Sequence, residues 1–466
     1  MNRPITNRLL RRRERGAVLI YVAVALIGLL AFSALAIDMG VLMVGRRQTQ
    51  NAADAGALSA AISLVFGLAP INYSNMNDPA YTQAKSDGAT VAQSNLVWGN
   101  APVVNPVTDV QIIDCPEPIP TLPDKCVRVD AYRNQAAGNP LPTFFAGLVG
   151  IQQQGARATA TAQVFYGKAA SCFKPWAIPD LWLDNYDSTT PVSSPLGGTP
   201  TLDDTFDYKY TSGSNQGQLY PNHDVYVPFS RDASTGAIYG TGYSAMAARQ
   251  QAGVAGGENI IGRFIILKSG NPSTAIQPGW FFPIVLPNGC GGGPSTGGSC
   301  YRTNIATCNP TELDLTTNFQ FTAVEPGNMI GPTQQGVGDL LAADQNSTFT
   351  CTYGATWSCS LVNNCGNNCQ DGHSPRLVAV PIFNPEEYID NDLMGRFQLH
   401  LMDAIGVWVD GLYQNLSPAL QAELARQNPG YTPNSQDVVG RFYTLPATGA
   451  SRNGPSSFLR TIVLVR

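Results

Sequence analysis

The arrangement of apolar and polar positions changes character three times along the chain. From Ala17 to Ile37, 21 residues pass without a charged side chain, and at 1.5 Å rise per residue a helix of that length spans roughly 31 Å, the thickness of a hydrocarbon core. This predicts a membrane-crossing helix. From Asp38 to Phe66 there is no proline, and Ala52, Ala53, Ala55, Ala57, Ala60 and Ala61 supply strong helix formers. The same helix is therefore expected to continue as a stalk. Small residues permit close helix approach, so Ala52, Ala55, Gly56 and Ala57 are candidates for packing against a partner helix. An Ala-rich helix lying on its own domain is the equal alternative.

Beyond the stalk the pattern shortens. Asp78-Pro79 has the form of an N-cap followed by N1 and predicts a helix over Ala80 to Leu96 with Tyr81, Ala84, Val91 and Leu96 inward. Alternation at Val110, Ile112 and again at Val127, Val129 predicts two strands. A short apolar helix is expected over Leu141 to Ile151 and a strand over Arg157 to Tyr166. Residues 67–168 thus read as a small α+β domain. Residues 169–466 read as a β-rich exported domain with long loops. Asp184 to Tyr226 is polar enough to predict surface loops. Buried strands are expected at Ile260 to Leu267 and Trp280 to Leu286, Phe319 to Val324 follows Cys308, and Arg376 to Phe383 is an apolar run opening the clearest β region. A further strand carries Phe397, Leu399, Leu401, Ile405, Val407 and Val409 on one face and Trp408 on the other, so both faces are expected to be covered. Short helices are expected at Val337 to Ala343 and Leu416 to Gln427. Val438 to Leu445 and Phe458 to Val465 close the chain as strands of that C-terminal sheet.

Charge orients the anchor. Residues 1–15 hold six Arg and one Glu, so residues 16–466 carry −10 of the net −5. The positive-inside bias puts the basic tail 1–16 in the cytoplasm and the body after the span 17–37 outside, as a single-pass protein of the inner (cytoplasmic) membrane with periplasmic or extracellular domains. Ala34-Leu35-Ala36 also suits signal peptidase, but an apolar core of this length exceeds the usual signal h-region. An acidic body excludes a basic nucleic-acid-binding surface. Charged residues make up only 13% of the chain, and all ten Cys lie at or after Cys115. An even cysteine count in such a chain fits an oxidising compartment. A disulfide between Cys115 and Cys126, closing a proline-rich loop between two strands, is the one pairing the sequence singles out.

Candidate chemistry is sparse. Cys365-x3-Cys369-x3-His373 can be drawn as zinc ligands, but exported thiols favour disulfides. Gly293-Pro294-Ser295-Thr296-Gly297 has the letters of a nucleophile elbow without the strand and helix it requires, and a helix start there is unexpected. Asp184, Asp187, Asp203, Asp204 and Asp207 gather without the ligand order of a calcium loop. No triad follows from the three His, and no P-loop lysine pattern occurs. No cofactor, metal site or enzyme activity is predicted.

The N-terminal motifs carry a family resemblance. Arg15-Gly16, the Ala/Val/Leu helix, Ile37-Asp38-Met39-Gly40, Arg46-Arg47 and Thr49-Gln50-Asn51-Ala52-Ala53-Asp54-Ala55-Gly56-Ala57-Leu58 make the chain similar to TadG-type (TadE/TadG-like) Flp pilus-assembly proteins. The likeness is strong over about residues 1–65 and weaker to about 166, through Thr143-Phe144-Phe145 and Ala156 to Ala162. It implies a membrane-anchored component of a tight-adherence secretion system, with the lipid bilayer and pilus-assembly or pilin-like proteins as partners and homo-oligomerisation left open. Gly16 before an apolar run also resembles a prepilin processing site, but Tyr21 stands where such sites want Glu. The Asp-x-Ser-x-Ser of a von Willebrand A-type module, found in some TadG-like chains, is missing. An exported surface-binding or adhesion protein not needed for pilus assembly is the alternative.

Overall fold

The computed structural model describes residues 7–66, 68–69, 79–116, 125–184, 199–210, 212–232, 235, 237–251, 259–269, 276–287, 290, 296–315, 320–353, 357–370, 373–390, 398–451 and 456–465. A single helix, α1 (Asn7–Phe66), covers 60 residues, a length of roughly 90 Å. Span and stalk are therefore one element, as the absence of proline after Asp38 predicts. A second helix, α2 (Pro79–Ser94), lies beside its C-terminal half.

These helices cover one face of a sheet whose first strands are β1 (Val110–Asp114), β2 (Lys125–Arg133) and β3 (Ala156–Ala170). All pair antiparallel, with Val110 opposite Val129 and Val127 opposite Ala162. Along β3 the residues Ala156, Ala158, Ala160 and Ala162 are buried while Arg157 and Thr159 are exposed. This period-two alternation of small side chains lets the helices approach the sheet closely. Two readings of this region are corrected. Leu141 is extended and bridges Gln154, because Pro142 biases it away from helix, and only Ala146–Val149 forms a 3-10 turn. Leu96 is exposed, since α2 ends at Ser94, where Asn95 Nδ2 donates to Val91 O at 2.8 Å. Val97 is buried with Leu141 instead, and Val91 is half-buried.

The body contains β4 (Trp176–Pro179), β5 (Phe264–Ser269), β6 (Trp280–Pro283), β7 (Gln320–Ala323), β8 (Leu377–Phe383), β9 (Gln398–Leu412) and β10 (Val438–Phe442). Their order is β7-β9-β8-β4-β6-β5-β10, and β10 pairs back onto β9. That last pairing closes β9, β8, β4, β6, β5 and β10 into a ring, which removes their exposed edges. Every residue of β8 is buried, and Trp408 is buried alongside Val407 and Val409, so both faces of β9 are covered. Phe397 lies outside the described residues. Helix Pro418–Gln427 is N-capped by Ser417, and helix Ile330–Ala343 is longer than its apolar stretch suggests.

The final strand, β11 (Leu459–Val465), departs from expectation. It pairs with β3, Arg460 opposite Tyr166 and Val465 opposite Thr161, so the C-terminus completes the N-terminal sheet. Strand β3 also receives Leu313–Asp314 and Thr448–Ser451. One strand therefore ties both parts of the chain together. The stretch from Asp184 to Tyr226 is not wholly superficial either, because Phe206 and Tyr226 enter the main core and Phe206 packs 4.9 Å from Trp182.

Candidate membrane anchor and docking face

Asp38 divides α1. From Val18 to Ile37 the apolar side chains project outward with almost none buried, and the helix is long and apolar enough to cross a membrane. From Asp38 onward a stripe is buried: Val41, Gly45, Thr49, Ala52, Ala53, Gly56, Ala57, Ala60, Ala61 and Leu64. Steps of three and four residues put these positions on one face of the helix.

The stripe is held at four levels. At its foot the Asp38 carboxylate accepts from three backbone N–H groups, Phe144 at 2.8 Å, Phe145 at 3.0 Å and Ala146. One turn higher, Trp98 Nε1 donates to Val41 O at 3.2 Å, and the Trp98 N–H donates to Gln48 Oε1 at 3.0 Å. At mid-height α1 crosses α2 through glycines. A Cβ on Gly56 would lie 2.8 Å from both Ala92 Cβ and Gly88 O, and one on Gly88 would lie 2.8 Å from Ala60 Cβ. Ser63 donates to Asp87 beside this crossing. At the top Tyr443 Oη donates to Phe66 O, and Thr444 Oγ1 donates to Val65 O at 3.3 Å.

Of the small residues named from the sequence, Gly56 lies against this chain's own α2. Ala52, Gly56 and Ala57 are buried by intramolecular packing, and Ala55 is half-exposed. Sequence reasoning missed Asp38 as a positioning group, since its partners are 106 to 108 residues away. The available signal was physical: a carboxylate next to a bilayer-length apolar run needs compensating donors.

The cysteines form five pairs: Cys115 with Cys126, Cys172 with Cys308, Cys290 with Cys300, Cys351 with Cys359, and Cys365 with Cys369. Pairing occupies the thiols of the Cys365-x3-Cys369-x3-His373 pattern. Among the described residues no cluster of His, Cys, Asp and Glu is placed to hold a metal ion. A helix does begin at Gly298, directly after Gly297, contrary to the sequence reading. The rest of that motif, Gly293 to Ser295, lies outside the described residues, as does Asp187.

Lys174, Asp180 and Asp403 are ionisable groups buried in the body. Asp180 accepts from Tyr243 N at 2.8 Å, Leu181 N at 3.0 Å and Tyr226 Oη at 3.1 Å. Burial pushes its carboxyl up to about 6 and that of Asp403 up to about 8, with Asp180 adding to the second shift. Lys174 Nζ donates to Thr307 O at 2.8 Å, and burial brings its ammonium down to about 7. None of the three lines either of two surface cavities of about 260 and 220 Å³. The larger lies between Leu202, Met246, Phe264 and Tyr431, and the smaller between Ser171, Gln370, His373 and Thr448.

Comparison with curated proteins and with solved structures gives no match for the chain. The helix with its buried stripe is where a match is found. Residues 16–63 fit the family model described as Putative Flp pilus-assembly TadE/G-like, so the chain carries the Tad segment of that family at its N-terminal helix.

Proposed function

We propose that the protein is a membrane-anchored, non-enzymatic component of a Tad/Flp pilus assembly and secretion system, contributing to pilus biogenesis and surface adherence. The observation that carries this reading is the division of α1 at Asp38. The exposed apolar half is fit only for lipid, while the buried half within the same Tad segment is built into the body. An amphipathic helix of a water-soluble protein would bury one stripe along its whole length. The Arg-rich tail orients the anchor with the N-terminus in the cytoplasm and the body across the inner membrane. Five cysteine pairs suit that oxidising side. Lipid and pilus-assembly or pilin-like proteins are the partners.

Topology tests the anchor. Alkaline washing of membranes should leave the full chain in the pellet, and protease added to spheroplasts should degrade the body. Release of the chain by alkali, or a body protected until the cells are lysed, would contradict the reading.

A further inference from the structure

The loop Thr143–Gln152 has a construction that the anchor alone does not explain. Its neck is closed by Thr143 Oγ1 donating to Gln152 O at 2.9 Å and by the Leu141 to Gln154 bridge. Its inner turn is closed by Ile151 N donating to Ala146 O at 3.0 Å. This loop nevertheless turns three large apolar side chains outward: Phe144 is 59% exposed, Phe145 40% and Ile151 54%. A loop closed this way has no need of exposed phenylalanines for its own folding, and their burial in an apolar medium is favourable.

Three backbone N–H groups of this loop are bonded to Asp38, the first residue after the uncharged run. The loop is thereby fixed at the depth where α1 leaves the hydrocarbon core. Asp38 itself is buried, so its charge does not end the apolar exterior. Met39, Met43 and Val44 remain exposed beyond it, and the next charged side chain of the helix is Arg46. The outward apolar surface from Val18 to Val44 is roughly 40 Å long, more than a hydrocarbon core of about 30 Å accommodates upright. With residues 17–37 filling the core, Met39, Met43 and Val44 fall past it in the interfacial layer, on the same turns of α1 that Phe144, Phe145 and the part-exposed Trp98 are bonded to. Aromatic side chains are enriched at that layer.

We propose that the loop Thr143–Gln152 is an interfacial membrane anchor, in which Phe144, Phe145 and Ile151 enter the headgroup–acyl boundary of the leaflet that α1 exits and Asp38 sets their depth. The occupant of this surface is lipid, because the surface is continuous with the lipid-facing side of α1. The proposal rests on the anchor reading above. Its consequence is a body seated on the membrane at a fixed orientation.

The test uses the full chain reconstituted in vesicles of phosphatidylethanolamine and phosphatidylglycerol, with the Phe144 side chain replaced by its trifluoromethyl derivative for fluorine NMR. Tyr239, exposed on the body, carries the same probe in a control protein. A lipid bearing a nitroxide near its headgroup should abolish the signal at position 144 and spare that at 239, and a water-soluble gadolinium chelate should do the reverse. A position-144 signal lost to gadolinium and spared by the lipid nitroxide, in protein that stays with the vesicles after an alkaline wash, overturns the interfacial loop and leaves the helical anchor standing. A signal spared by both agents also overturns it, and indicates a protein cover such as a second copy. Protein that leaves the vesicles on washing overturns the anchor reading itself.

Discussion

At Asp38 a buried carboxylate is satisfied by three consecutive backbone donors from a loop more than a hundred residues away. Hydrogen bonds to a charged acceptor contribute about 1.5–3 kcal/mol each, and orphaned donors cost more than lost bonds. Asp38→Ala should therefore loosen the loop, seen as faster hydrogen exchange at Phe144, Phe145 and Ala146 with the sheet unaffected. Unchanged exchange at those amides would deny Asp38 its positioning role. Asp403 makes a prediction of a different kind. Its folded carboxyl is pushed up to about 8 and that of Asp180 to about 6, burial being the main cause in both, against an unfolded value near 3.9. Between those limits the folded chain keeps a proton that the unfolded chain releases, so stability falls as pH rises through the window. Lys174, brought down to about 7, acts in the opposite sense only above that pH. Melting the detergent-solubilised chain at pH 5 and pH 7 should show a drop that Asp403→Asn reduces, and an equal drop in both proteins would refute the assignment.

At the scale of elements, the crossing of α1 and α2 depends on Gly56 and Gly88, whose missing side chains leave room for Ala92 and Ala60. Gly88→Val should cost about 1–3 kcal/mol through overpacking, read as a lower melting temperature and less full-length protein in membranes. A variant that keeps its stability but fails in assembly would instead point to a partner helix at this face. Long-period features were readable in advance: the uncharged run 17–37, the proline-free stalk and the alternation of β1 and β2 each follow from local sequence. The closure of the body sheet by β10 on β9 was not readable, because pairing between distant strands leaves no mark on either one. The same reason hides the placement of β11. Phe458 to Val465 reads correctly as a strand, yet its long partner is β3, and of the adjacent C-terminal segments only Leu445–Pro446 pairs with it. Truncation before Phe458 should consequently uncover one edge of β3 from Thr161 to Tyr166 and make the N-terminal sheet sensitive to protease. A truncated chain with cleavage confined to the C-terminal body would contradict that topology.

Across the whole molecule, α1 is a continuous rod from Asn7 to Phe66 whose upper half is clamped by α2, the sheet and the Tyr443–Thr444 segment. A rod clamped in this way leaves the body little freedom to swing on the apolar half of the helix. The Tad segment at residues 16–63 takes in both the exposed apolar half and most of the clamped half. The most direct measurement is the amount of major Flp pilin sheared from the surface, beside total pilin, in a deletion strain complemented with either of two proteins. One is the full chain, and the other is the chain with residues 1–37 exchanged for a cleavable signal peptide. The account predicts that surface pilin is lost on deletion while total pilin persists, and that only the anchored chain restores it. Surface pilin unaffected by the deletion, or restored equally by the released body, would contradict it, the first result moving surface adhesion without pilus assembly to first place.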